Sequence, residues 1–215
     1  MPEYFYKTMS IKTLFFIVLV LEIGFSLAGN RTGVSVFKPL LMPLLLVVAY
    51  QSGVKSKMLF PALIFSFLGD VFLMFSGENY FIYGLGSFLL AHIFYIFSFG
   101  VKRKYNIITS LLFLIYSSVF FYLIYPNLNG GLLIPVMVYC IVLTLMGITA
   151  WHRGMEDKQL LFFGLGAILF IISDSLIAYS KFVTEIPLNS LWVMSTYGFA
   201  QYLILQGFIN SESDI

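Results

Sequence analysis

Apolar runs of helical length, separated by short clusters of charge, Gly and Asn, divide the chain into eight predicted helices. They cover about 11–28, 34–51, 58–76, 80–100, 106–125, 132–151, 159–181 and 188–209. The breaks read GNRTG, QSGVKSK, SGEN, VKRKYN, PNLNGG, HRGMEDK and TEIPLN. None is long enough to hold a separate domain. The pattern predicts one all-α domain over residues 1–215, a polytopic bundle of about eight membrane-spanning helices, since a span needs roughly 20 mainly apolar residues. Residues 1–29 mimic a signal peptide, with Lys7 and Lys12 ahead of TLFFIVLVL and then SLAG. Glu22 interrupts that apolar stretch and further spans follow, so an uncleaved first helix is expected.

Composition puts the same chain in lipid. Hydrophobic residues make up 60% and charged residues 10% of the sequence, with a mean hydropathy of +0.95. Soluble domains carry about 25% charged residues, so there are too few here to coat a surface in water. The single cysteine, Cys140, excludes a disulfide framework and a cysteine-based metal site. A net charge of +2 with no basic patch among aromatics gives no footprint for nucleic acid.

Charge sets the expected orientation. With the N-terminus inside, Lys7, Lys12, Lys55, Lys57, Lys102, Arg103, Lys104, Arg153 and Lys158 face the cytoplasm, against Arg31, Lys38 and Lys181 opposite. An even number of helices then returns the C-terminus to the cytoplasm, and in a bacterium the membrane would be the inner one. GLGSFLLAH (84–92) and GLGAILFII (164–172) hint at duplicated halves, although small residues at helix contacts account for both copies without common ancestry.

Against this apolar background a few polar residues stand out. FSFLGDVFLM places Asp70 inside the third helix, and LFIISDSLIAY places Asp174 inside the seventh. Helix rise puts both roughly 18–22 Å from the cytoplasmic edge of a ~30 Å hydrocarbon core. A central Asp costs about 2.5–3.5 kcal/mol to insert, so each is expected to face a polar cavity within the bundle. His92 falls at comparable depth, with Tyr95 on the same side of the fourth helix. Tyr197 and Gln201 share a face of the eighth. Lys38, in VFKPLLMP at the outer end of the second helix, and Glu22 on the first complete the set.

Each also has a purely structural account. Lys38 near a helix end can snorkel to the headgroups. Glu22 reads as the structural partner of another helix rather than a catalytic group. His92, Tyr197 and Gln201 can serve as interhelical hydrogen bonders, and the aspartates as a buried pair sharing a proton or bound to Lys38. The aromatic excess, 24 Phe and 14 Tyr, is assigned to lipid-facing surface and core.

Taken in order, KPLLMP, FSFLGDVFLM, GLGSFLLAHIFYIF, GAILFIISDSLIA and YGFAQYLI resemble the lysoplasmalogenase, or YhhN-like, family of membrane proteins, over about residues 35–207. The resemblance implies hydrolysis of the vinyl ether bond of lysoplasmalogens to a fatty aldehyde and glycerophosphoethanolamine or glycerophosphocholine. It also implies a site lined by Lys38, Asp70, His92, Tyr95, Asp174, Tyr197 and Gln201. Vinyl ethers hydrolyse by protonation of the β-carbon, capture of the oxocarbenium ion by water, and collapse of the hemiacetal. That chemistry needs a carboxylic acid and a carboxylate, which two neighbouring buried aspartates can supply between them. Asp70, Asp174 and His92 are the catalytic candidates. Lys38, Tyr95, Tyr197 and Gln201 are the candidates for binding substrate, with Lys38 as a point charge for phosphate.

The expected partners are a lysophospholipid and the bilayer, with no cofactor; no glycine-rich loop joins a strand to a helix. Two other functions fit the same residues. A metal-dependent lipid hydrolase would use His92, Asp70 and Asp174 as ligands, but His152 lies at the cytoplasmic end of the sixth helix, too far to join. A small proton-coupled transporter would use the buried acids as a relay.

Overall fold

The computed structural model describes residues 2–101 and 104–213. Among them it forms eight helices: α1 (Pro2–Leu27), α2 (Arg31–Gln51), α3 (Leu59–Phe72), α4 (Glu78–Phe99), α5 (Ile107–Ile124), α6 (Gly130–Glu156), α7 (Leu160–Phe182) and α8 (Asn189–Ser213). Asn30, Asn106 and Asn129 open α2, α5 and α6 by accepting from the amides of Gly33, Ile108 and Leu132. These caps satisfy donors that have no partner within their own helix. All helices except α3 and α8 are long and apolar enough to cross a membrane, and the chain is an integral, multi-pass membrane protein.

The two exceptions have different causes. α8 is long, but it carries Ser195, Thr196, Gln201, Gln206 and Asn210 along its length. α3 is short. Its 14 residues span about 21 Å, whereas the sequence pattern carries the helix to residue 76. Leu73, Met74 and Phe75 are apolar enough to continue it, but the amides of Met74 and Phe75 bond three residues back, to Val71 and Phe72. The chain then reverses at Gly77, whose φ of +124° is a conformation that L side chains rarely adopt. Asp70 therefore sits in the last turn of its helix, not in the middle of a longer one.

α2 is also interrupted. A 3₁₀ turn, Lys38–Leu40, separates its two α-helical parts. Pro39 and Pro43 lack the amides that would reach the carbonyls of Ser35 and Pro39, so the helical ladder cannot run through unchanged.

α3 packs along α4, and α7 along α8. Both contacts depend on close approach. A Cβ on Gly69 would lie 2.5 Å from the Phe88 ring, and one on Gly166 would lie 3.2 Å from the Ala200 carbonyl oxygen. Gly86, the counterpart of Gly166 in the repeated G-L-G sequence, faces open space. The second glycines of the two copies thus share no packing role.

α1 and α8 run antiparallel, with Phe15 stacked on Tyr202 and Leu19 lying against Gly198. Both termini consequently lie at one end. That end is knit by polar contacts: the Lys55 amide donates to Glu212, the Lys104 amide to Glu156 at 3.0 Å, and Arg153 Nη1 to the Ser98 carbonyl at 2.6 Å. Lys102 and Arg103, which the sequence assigns to the cytoplasmic side, lie outside the described residues. α5 is peripheral, and Ile124 is its single fully buried residue.

Candidate active site

Two hydrogen-bonded groups occupy the interior, one around each aspartate. Asp70 is 3% exposed and accepts from the Tyr197 hydroxyl at 2.8 Å. One turn toward the terminal end, Gln201 Nε2 donates to Ser66 Oγ at 3.1 Å, and Tyr95 donates its hydroxyl to Gln201 Oε1. Helices α3, α4 and α8 are tied together here by buried side chains that satisfy one another, as burial requires.

The second group joins α4, α6 and α7. Tyr139 donates to Asp174 Oδ2 at 2.5 Å, and His92 Nε2 lies 3.7 Å from the same oxygen. His92 Nδ1 meets the Phe88 carbonyl at 2.5 Å. A carbonyl can only accept, so the Nδ1 position carries the hydrogen. Nε2 then faces Asp174 and has no other partner among the described residues. Phe170 separates the two groups, with the His92 ring 4.8 Å and the Tyr197 ring 5.5 Å from its own. The aspartates nevertheless lie within electrostatic reach of each other.

Two cavities approach this interior. The first is a narrow apolar slot of ≈ 60 Å³, walled by Leu85, Phe88, Tyr139, Ile171 and Ala178, with Asp174 as its one charged residue. Two further grooves border it beside α5, one sharing Cys140 and Thr144 with the slot and the other sharing Phe113 and Tyr116. The second is a polar cavity of ≈ 910 Å³ at the end opposite the termini, where Glu22, Arg31, Lys38 and Lys181 line the wall. Leu73, Phe81 and Ile177 belong to both. Asp70 lines neither; it precedes Leu73 by one turn and lies within electrostatic reach of Lys38.

The structure therefore divides the residues singled out in the sequence. Asp70, Tyr95, Tyr197 and Gln201 form one group, and Asp174 and His92 belong to the other. Lys38 stands apart, on the polar cavity. Tyr95 and Gln201 are fully buried and line neither cavity. Tyr139, Ser66 and Phe170 escaped the sequence reading; a lone hydroxyl in the apolar stretch VMVYCIV was the only signal for Tyr139. His152 is satisfied locally at the terminal end, bonded to the Asn106 amide at 2.8 Å, Thr109 at 3.1 Å and the Ile148 carbonyl at 2.7 Å. Among the described residues, no three His, Cys, Asp or Glu side chains converge as metal ligands.

Residues 34–208, which include both hydrogen-bonded groups and Lys38, match the YhhN family. The chain belongs to the YhhN family. Curated relatives agree across most of its length. Lysoplasmalogenase TMEM86A of Bos taurus is 36% identical over 166 residues, covering 73% of this chain and 67% of that protein. The Homo sapiens protein of the same name is 34% identical over 178 residues, 79% of this chain and 71% of its own. A Mycobacterium bovis lysoplasmalogenase is 29% identical over 202 residues, 89% of this YhhN-family chain and 76% of the bacterial one. No solved structure matches.

Proposed function

We propose that this YhhN-family protein is a lysoplasmalogenase, a hydrolase that cleaves the vinyl ether bond of lysoplasmalogens. The relatives that bear that name support the activity. The observation that carries the mechanism is the position of Asp174, the one charged residue on an apolar slot that meets a polar cavity at Leu73, Phe81 and Ile177. In this reading the apolar slot and the grooves beside α5 receive the alkenyl chain, the slot widening to admit it, and the polar cavity receives the glycerophospho headgroup with its phosphate near Lys38.

This arrangement assigns the two acids. In a substrate so placed the β-carbon points toward the chain and hence toward Asp174. Asp174, sharing a proton with His92, protonates that carbon: the alkene π pair forms the new C–H bond, and the ether oxygen supplies electrons to the oxocarbenium ion. Asp70 stabilises the cation and takes a proton from the attacking water. The same proton passes to the glycerol oxygen as the hemiacetal C–O bond breaks. The hemiacetal hydroxyl returns its proton to the Asp174–His92 pair, leaving aldehyde and free glycerol hydroxyl. Asp70 lines neither cavity, so bringing it to the bond requires a local rearrangement at the junction. Tyr139 and Tyr197 orient the two carboxyl groups, while Tyr95, Gln201 and Ser66 hold Tyr197 and α3 in register.

The basic loops favour a cytoplasmic terminal end; with that orientation the polar cavity would face the opposite side, which in a bacterium would be the outer face of the inner membrane. Detergent-purified protein should release free fatty aldehyde from lysoplasmenylethanolamine. Asp70→Asn and Asp174→Asn should each abolish release while remaining monodisperse and folded. Full activity in either variant removes the two-acid scheme, and absence of aldehyde from folded wild type removes the activity itself.

A further inference from the structure

Glu22 takes no part in the reaction outlined above and lies outside the stretch that matches the family. It projects from α1 onto the wall of the polar cavity, is only 2% exposed, and its Oε2 has no hydrogen-bond partner among the described residues. A buried acceptor left unpaired is costly, and a buried carboxylate more so. Lys38 lies within its electrostatic reach but donates no hydrogen bond to that oxygen.

The rest of the cavity has the opposite sign. Arg31, Lys38 and Lys181 line it together with Glu22, and Lys181 is held over the Phe81 ring at 4.3 Å. A ligand matched to this wall carries an anion for the cations and, a few ångströms away, a cation with N–H groups for Oε2. A phosphoethanolamine headgroup has both. A phosphocholine headgroup has the same two charges but no N–H, so it would leave Oε2 unsatisfied.

We propose that Glu22 reads the headgroup: its carboxylate accepts hydrogen bonds from the primary ammonium of ethanolamine and makes the protein select ethanolamine over choline lysolipids. The proposal rests on the lysoplasmalogenase assignment for the identity of the ligand, but its test does not depend on turnover. Non-cleavable 1-O-alkyl lysolipids bearing ethanolamine, its N-methyl and N,N-dimethyl forms, and choline are titrated against wild-type protein, with binding followed by intrinsic tryptophan fluorescence. Affinity should fall stepwise with each lost N–H, by about tenfold or more across the series, the scale of a charged hydrogen bond. Glu22→Gln should flatten the series, and Glu22→Asp should retain part of it.

Equal affinity of wild type for all the headgroups overturns the proposal, as does a Glu22→Gln variant that keeps the full ethanolamine preference. If Glu22→Gln does not fold, the wild-type series and Glu22→Asp still decide. Headgroup-selective binding without aldehyde release would sink the hydrolase assignment and leave the headgroup site standing. Aldehyde release without headgroup selectivity would do the reverse.

Discussion

His92 and Asp174 confront each other acceptor to acceptor across 3.7 Å. The Phe88 carbonyl fixes the hydrogen of His92 on Nδ1, so Nε2 turns a lone pair toward a carboxyl oxygen. Unless one proton lies between them, two like partial charges face each other in an apolar interior. We propose that the pair holds a single proton between its two members; Tyr139 bonds to the same carboxyl group from α6.

Removing that third member should impair chemistry more than binding. Tyr139→Phe deletes the hydroxyl that donates to Asp174 and leaves the ring in place against His92. We expect kcat to fall about tenfold to a hundredfold, the scale of one hydrogen bond to a charged group, with KM changed less than threefold. Steady-state kinetics on lysoplasmenylethanolamine measure both, and unchanged kcat would dissociate Tyr139 from the proton unit.

The two histidines should separate cleanly. His92→Ala is expected to abolish turnover. His152→Ala should retain kcat but lower thermal stability by about 1–3 kcal/mol, because the Asn106 amide loses its acceptor where α5 begins. Melting in detergent, followed alongside aldehyde release, provides the comparison.

Gly69→Ala tests the contact between α3 and α4. Its methyl group would meet the Phe88 ring at 2.5 Å, and Phe88 packs in turn against Tyr197, which holds Asp70. Overpacking of this kind costs about 1–3 kcal/mol. Both melting temperature and activity should drop; a variant as stable as wild type would mean that Phe88 moves freely.

Filling the apolar slot should change chain selectivity. Ala178→Phe inserts a ring into its wall, one helical turn beyond Asp174. KM for long alkenyl chains should rise at least fivefold relative to short ones, by analogy with the cost of forcing extra methylenes into a packed site. A uniform effect on all chain lengths would place the tail elsewhere.

How much of this was legible beforehand depends on contrast along the chain. Asp70 and Asp174 were conspicuous because a carboxylate among leucines and phenylalanines has no cheap explanation. His92 was conspicuous for the same reason. Tyr139 bonds directly to Asp174 but was hidden, since one tyrosine among 14 in an aromatic-rich chain has no contrast. The end of α3 was hidden for the converse reason: Leu73, Met74 and Phe75 continue the apolar pattern, and the decision to unwind is made by the turn at Gly77. The division of the site into two groups, and the neighbourhood of Glu22 and Lys38, are tertiary facts linking residues from different helices that no spacing encodes.

Leu73, Phe81 and Ile177, shared by the slot and the polar cavity, have a consequence for the fate of the products. A bond broken at that boundary yields two fragments with opposite solubilities. The aldehyde remains on the hydrocarbon side and can slip into the bilayer past α5, while the glycerophospho fragment is left facing water. Once they part into different phases, recombination requires both to return to one point. With the substrate seated as proposed, the architecture would part the products at the moment of release and send the reactive carbonyl into the membrane rather than the aqueous compartment.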